Sequence, residues 1–173
     1  TNILANDGMS KAGVEMLKKK GFNIVTKHVN QEDLINVINK EKYEVLLVRS
    51  ATSVRKDLIN SCTDLKIIGR GGVGMDNIDV DFAVHKGIKV INTPVASSVA
   101  VAELVFAHLF GMVRFLFDSN RQMPILGDSD FKELKKSYAK GKELAGKTLG
   151  IIGFGRIGQE VAKRAIGLGM KII

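Results

Sequence analysis

Lys147-Thr148-Leu149-Gly150-Ile151-Ile152-Gly153-Phe154-Gly155-Arg156-Ile157-Gly158 is the stretch on which the reading of the fold turns. Its first half is small or apolar, as a strand buried in a parallel sheet would be. Its second half is G-x-G-x-x-G. Val161, Ala162, Ala165 and Ile166 follow at helical spacing, and Gly167 to Gly169 close that helix. The glycine string is weak evidence alone, but a strand before it and a helix after it are the setting in which it cradles a dinucleotide. Gly153 permits the tight turn, Gly155 keeps a Cβ from standing between the backbone and a diphosphate, and Gly158 lets helix and strand approach closely. The free N–H groups and partial positive charge at the helix start favour phosphates, and Arg156 adds a charged donor. Gly153, Phe154, Gly155, Arg156, Ile157 and Gly158 are therefore the candidate cofactor-binding residues. The acidic residue that selects the adenosine ribose normally lies roughly 20 residues further on, at the end of the next strand. That strand, Met170 to Ile173, is where this sequence stops, so the loop by itself leaves NAD and NADP both open.

Upstream, short runs of Val, Ile and Leu alternate with amphipathic stretches that begin on a capping residue and end on Gly, the pattern of repeated βα units. Strands are predicted at Ile3–Ala5, Phe22–Val25, Tyr43–Val48, Leu65–Ile68 and Ile88–Ile91. Ser10 is predicted to cap a helix ending at Gly21, Asn30 to cap the next, and shorter helices are placed at Asp57–Asn60 and Ile78–His85. Right-handed crossovers allow these five strands to form a flavodoxin-like doubly wound sheet over residues 1–93. From Ser97 or Ser98 to Phe117 one long helix is predicted. Its apolar residues run nearly all round, which calls for burial on more than one side. A core helix between two layers of its own chain would meet that need; a helix shared at a domain junction and a subunit interface over residues 97–118 is the favoured reading, giving a homodimer or higher homo-oligomer. Residues 119–145 read as a polar, Lys-rich connection with a helix around Phe131–Tyr138. The fold class is thus α/β: a flavodoxin-like domain over 1–93, then the first part of a Rossmann domain over 94–173.

Composition excludes several function classes. No apolar run approaches the roughly 18 residues of a membrane span, so no membrane partner is expected. Thr1–Ala5 turns polar at Asn6 and Asp7 and offers no secretory signal, and a cytoplasmic location is expected. The single cysteine, Cys62, excludes an internal disulfide, and neither a redox nor a metal role is read for it. The net charge of +8 is spread over helix faces without interleaved aromatic rings. No nucleic-acid partner is expected, whereas a positive field favours capture of a small anion.

Four ordered blocks then carry a resemblance across the whole chain: Val48-Arg49-Ser50-Ala51-Thr52; Ile68-Gly69-Arg70-Gly71-Gly72-Val73-Gly74-Met75-Asp76-Asn77-Ile78-Asp79; Asn92-Thr93-Pro94 with Ala102-Glu103-Leu104; and Gly146 through Gly158. Together they resemble the D-isomer-specific 2-hydroxyacid dehydrogenases, and within these the D-3-phosphoglycerate dehydrogenase branch. The resemblance implies NAD as cofactor, a small anionic 2-hydroxy acid such as 3-phosphoglycerate as substrate, and a place in serine biosynthesis. It also implies a substrate-binding domain over 1–93, with the cleft between it and the nucleotide-binding domain. Arg49 would pair with the distal anionic group, with Ser50 and Ala51 beside it, and the loop containing Gly72 and Val73 would offer N–H groups to the carboxylate and reach the cofactor at Val73. Ser97 stands where that branch often carries Asn as a further substrate contact. Glycerate, hydroxypyruvate or lactate substrates stay open, as does a corepressor-like, non-enzymatic member. The Arg, Glu and His that perform the chemistry in the family are expected beyond residue 173. None of His28, His85 and His108 matches that histidine, so no catalytic residue is assigned in this chain, and the segment alone is expected to be inactive.

Overall fold

The computed structural model describes residues 1–173 as two compact units, Thr1–Ala96 and Ser97–Ile173. In the first unit β1 (Asn2–Ala5), α1 (Lys11–Lys19), β2 (Asn23–Val25), α2 (Leu34–Lys40), β3 (Val45–Val48), α3 (Lys56–Ser61), β4 (Ile67–Arg70), α4 (Val80–His85) and β5 (Lys89–Asn92) alternate without exception. All strand pairs are parallel and the order is β2-β1-β3-β4-β5. This is the flavodoxin-like arrangement predicted from the apolar periodicity. Helices cover the sheet faces and bury Leu4, Leu46 and Ile68 on one side with Leu34, Ile38, Val54 and Leu58. Ile3, Ala5, Ile24 and Val45 form a second cluster. Burying side chains of this size stabilises by about 1.5–3 kcal/mol each, which explains why strands of only three or four residues hold their register.

Local signals act as predicted at α1, where the Ser10 hydroxyl accepts from the Gly13 N–H at 3.2 Å and Gly21 takes a left-handed φ of 82°. At α2 they do not. Asn30 is followed by a turn, in which its carbonyl accepts from the Asp33 N–H, and the helix starts only at Leu34. The fourth strand is displaced from Leu65–Ile68 to Ile67–Arg70. Leu65 is buried by packing in the core, not by pairing in the sheet.

The second unit contains α5 (Ser98–Val113), α6 (Leu116–Leu126), α7 (Phe131–Tyr138), β6 (Thr148–Leu149), α8 (Arg156–Gly167) and β7 (Lys171–Ile172). The single helix predicted to Phe117 is instead broken after Val113, with Phe115 left-handed at φ 55° and a 52° bend before α6. The Val113 carbonyl, freed by the break, accepts from the Lys142 N–H at 2.9 Å. The stretch read as a polar connection is half helix, with Pro124 near the end of α6. One face of α5, carrying Ala102, Phe106, Leu109 and Val113, packs with Val161 and Ala165 of α8. Leu104, Met112 and Leu116 stay exposed, so the chain's own packing covers a single side. Arg164 ties the two helices together, reaching Glu160 at 2.5 Å and Glu103 at 3.4 Å. No single helix is long and apolar enough to cross a membrane.

Candidate functional site

In an open parallel sheet the carboxyl ends of the strands are where ligands bind, at the point where strand order reverses. In the first unit that point lies between β1 and β3. A cleft of about 510 Å³ opens there, lined by Asp7, Met9, Arg49, Arg70, Gly71 and Thr93 among others. Register explains the membership. Ala5 pairs with Leu47, Val48 with Arg70 and Arg70 with Asn92. Counting onward along each strand puts Asp7, Arg49, Gly71 and Thr93 in one row across the sheet edge. Leu47, Gly69 and Ile91 form the row beneath, an apolar floor.

Two arginines are among the residues lining this cleft, and neither enters an ion pair. Arg49 leaves the end of β3. Arg70, the last residue of β4, lays its guanidinium against Gly72, where a Cβ would fall 2.1 Å from Nη1. Its Nε is buried with no hydrogen-bond partner. Such a buried donor costs roughly 1–3 kcal/mol if left unsatisfied, so an anion at this end of the sheet would relieve it. Sequence reasoning did not single out Arg70. The register that aligns it with Val48 is the signal that finds it, and the chain as a string does not show register.

The other predicted residues are placed as follows. Ser50 and Ala51 are exposed on the turn that follows Arg49 and do not line the cleft. Gly72 and Val73 sit on the glycine loop, whose carbonyls are engaged: Gly72 O accepts from the Thr93 N–H at 3.1 Å and Val73 O from Asn92 Nδ2 at 2.7 Å. That leaves the N–H groups of Val73 and Gly74 without a protein acceptor, although neither residue is among those lining the cleft. Ser97 belongs to the second unit as the residue preceding α5, and its hydroxyl makes no capping bond.

The turn from Arg49 to Thr52 is held by side chains from two other segments. Asp7 Oδ2 accepts from the Arg49 N–H at 2.5 Å and the Thr52 N–H at 3.2 Å, and Oδ1 accepts from the Thr52 hydroxyl at 2.5 Å. Asn77 Nδ2 donates to the carbonyls of Arg49 and Thr52 at 2.8 and 2.7 Å. Partial burial pushes the Asp7 carboxyl up. The Thr52 hydroxyl, the two N–H groups and nearby His28 outweigh it and hold the carboxyl below its ordinary range. His28 itself is engaged through Nδ1 with the Asn6 carbonyl at 3.0 Å, and His108 lies beside the Phe117 ring.

In the second unit the glycine loop has the geometry its residues foretell. Gly153 takes φ 94°. A Cβ on Gly158 would lie 2.3 Å from the Gly153 carbonyl oxygen, so α8 approaches the loop as only glycine allows. A Cβ on Gly155 would meet nothing within 4 Å, which leaves open space at the start of α8, whose N-terminus no side chain caps. Phe154 is exposed on the loop, beside Arg156 and Ile157 in the first turn of α8. An open space before an uncapped helix start fits a diphosphate.

Comparison with known proteins bears on both units. The profile of the D-isomer specific 2-hydroxyacid dehydrogenase catalytic domain matches residues 3–165. A hydroxypyruvate reductase of Thermotoga maritima is 46% identical over 174 residues, covering 99% of this chain and 54% of the relative. A D-3-phosphoglycerate dehydrogenase of Methanocaldococcus jannaschii is 43% identical, covering 99% of this chain and 31% of the relative. The crystal structure of an NAD+-bound 3-phosphoglycerate dehydrogenase of Entamoeba histolytica superposes with a TM-score of 0.74 at 31% identity, covering 99% of this chain and 52% of that one. The chain thus spans between about a third and about half of the length of these proteins. With the family profile running from β1 into α8, through the glycine loop of each unit, this chain belongs to the D-isomer specific 2-hydroxyacid dehydrogenases.

Proposed function

We propose that this chain is the substrate-binding unit and the first part of the nucleotide-binding unit of an NAD-dependent oxidoreductase. Its substrate is a D-2-hydroxy acid bearing a second anionic group, with 3-phosphoglycerate as the type. The observation that carries the substrate class is the pair of arginines without acidic partners, Arg49 and Arg70, at one end of the sheet. A phosphate takes two guanidinium groups well because each can donate two parallel N–H bonds. The N–H groups of Val73 and Gly74, which have no protein acceptor, would donate to a carboxylate. Gly153–Gly158 and the start of α8 would hold the cofactor diphosphate, and the nicotinamide supplies the hydride acceptor. NAD is favoured by the NAD+-bound relative from Entamoeba histolytica. The acid–base residues are assigned to sequence beyond residue 173, so the chain by itself is inactive in this reading. In this reading the parent enzyme would oxidise phosphoglycerate for serine biosynthesis in the cytoplasm. The exposed apolar residues of the 97–118 segment are its proposed homo-oligomer contact.

A second reading, that the substrate is hydroxypyruvate, is favoured by the 46% identity to the Thermotoga maritima reductase. The two differ in the distal anion, so a thermal-shift comparison of 3-phosphoglycerate, glycerate and hydroxypyruvate on full-length protein separates them. The phosphorylated ligand is expected to raise Tm the most, and Arg49→Ala to remove that shift selectively. Equal shifts from glycerate and 3-phosphoglycerate, or a shift indifferent to Arg49→Ala, would overturn the assignment.

A further inference from the structure

Arg49 is useful to an anion only if its side chain leaves the backbone in the right direction, and that direction is set by the two peptide planes flanking its Cα. Both planes are fastened from outside. The N–H on one side donates to Asp7 Oδ2 at 2.5 Å, and the C=O on the other accepts from Asn77 Nδ2 at 2.8 Å. The far end of the turn is fastened by the same two residues, through the N–H, hydroxyl and carbonyl of Thr52. Asn6 completes the set, its Nδ2 donating to Thr52 Oγ1 at 2.9 Å while the same hydroxyl donates to Asp7. Arg49 and Thr52 are thereby fixed, and Ser50 and Ala51 between them are free of such bonds.

The presence of a carboxylate in the lining of a cleft that binds anions needs a reason, because an unpaired one would repel the ligand. Asp7 has no ion-pair partner, yet both its oxygens are occupied by three donors of the turn. Its negative charge is spent inward, on the frame. The β1–β3 register puts it directly opposite Arg49.

We propose that Asp7 is the positioning residue for Arg49: it does not touch the substrate but sets the backbone from which Arg49 reaches the distal anion. This rests on the reading of Arg49 given above. The test is steady-state kinetics of full-length enzyme with 3-phosphoglycerate and NAD+, for wild type, Asp7→Asn, Arg49→Gln and the double variant. Asp7→Asn keeps the shape but turns an amide NH2 toward donors. It is expected to raise KM for 3-phosphoglycerate about tenfold with kcat changed less than about threefold, the scale of losing a charge-assisted bond. In the Arg49→Gln background the same change should add less than about twofold, because residues that act through one group are not additive.

A merely structural Asp7 would lower stability and active fraction, moving kcat and leaving KM in place; that result, or full additivity in the double variant, overturns the proposal while Arg49 keeps its role. If Arg49→Gln leaves KM unchanged, the reading of Arg49 itself fails and the proposal with it. Should Asp7→Asn not fold, Thr52→Val carries the same test. It removes only the hydroxyl that Asp7 and Asn6 share, and is expected to raise KM about threefold; an unchanged KM there counts against the proposal.

Discussion

Substituting the third and second glycines of the Gly153–Gly158 loop should have different profiles, and the structure supplies the magnitudes. A Cβ on Gly158 would stand 2.3 Å from the Gly153 oxygen and 3.3 Å from Ile151 Cγ2. Carbon and oxygen are comfortable at about 3.3–3.6 Å, so α8 and the loop must part by roughly 1 Å. Overpacking of that size costs about 1–3 kcal/mol. The yielding atom is the carbonyl of the loop that would face the diphosphate, so cofactor affinity should fall about tenfold as well, or roughly 1.4 kcal/mol. At Gly155 the backbone is extended, at φ −76° and ψ −162°, and a Cβ would meet no protein atom within 4 Å. Gly155→Ala should therefore leave the unliganded protein within about 0.5 kcal/mol of wild type and weaken the cofactor alone. The assay is thermal unfolding of full-length protein with and without NAD+, beside calorimetric titration of NAD+. Gly158→Ala is expected to lose both stability and affinity, Gly155→Ala only affinity. A Gly158→Ala variant as stable as wild type, or a Gly155→Ala variant that binds NAD+ undiminished, refutes the reasoning.

Two further outcomes follow from buried or paired titratable groups. Cys62 is 1% exposed, and burial pushes its thiol up to about 11. As the sole cysteine it should stay unlabelled by a thiol reagent in the native protein and react at once in denaturant; native labelling at the denatured rate would contradict this burial. The Asp7 carboxyl lies below its ordinary 3.8 in the folded chain, for the causes given above. A depressed carboxylate stabilises fully above its unfolded value and loses that contribution as pH falls through the folded one. The lead in urea midpoint of wild type over Asp7→Asn should hold from neutral pH to near 3.8 and shrink below it. A lead that stays constant through the acid range would show that the ionised form is not the one being held.

The order of the first sheet was legible because apolar runs alternate with amphipathic stretches, two of which, α1 and α4, close on a glycine. What failed was the placing of ends. Leu65 looked like strand because it is apolar, but it is buried under a turn, and the ladder starts at Ile67. Asn30 looked like a cap because of its chemistry, yet the chain spends one more turn before Leu34. The break at Phe115 had no local signal. A helix apolar on every side has no phase from which an interruption can be read, and the bond that takes up the Val113 carbonyl comes from Lys142, far along the chain. The conformation of the Gly153–Gly158 loop was legible because two of its glycines answer constraints within a few positions of themselves: φ at Gly153, and the approach of α8 at Gly158.

The lining of the first unit's cleft was legible only in part, and the missing part has a single cause. Arg49 could be named because it ends an obvious central strand. Asp7, Arg70 and Thr93 could not, because each belongs to a different βα unit and they meet only through the strand order β2-β1-β3-β4-β5 and its register. Once that order is known the set is forced. In a parallel sheet all the carboxyl ends lie on one edge, so the residues just past the ends of β1, β3, β4 and β5 must form a row. Here the row is a carboxylate, a guanidinium, a glycine and a threonine. The carboxylate stands next to the guanidinium because β1 and β3 are neighbours across the reversal point. Asp7 and Arg49 would be attracted side chain to side chain, and a direct pair would cancel the charge that the proposed anion site relies on. The turn prevents that by occupying both oxygens of Asp7 with its own N–H and hydroxyl groups. The same topology that creates the cleft thus puts a competitor beside its main cation, and the Arg49–Thr52 turn turns that competitor into a support.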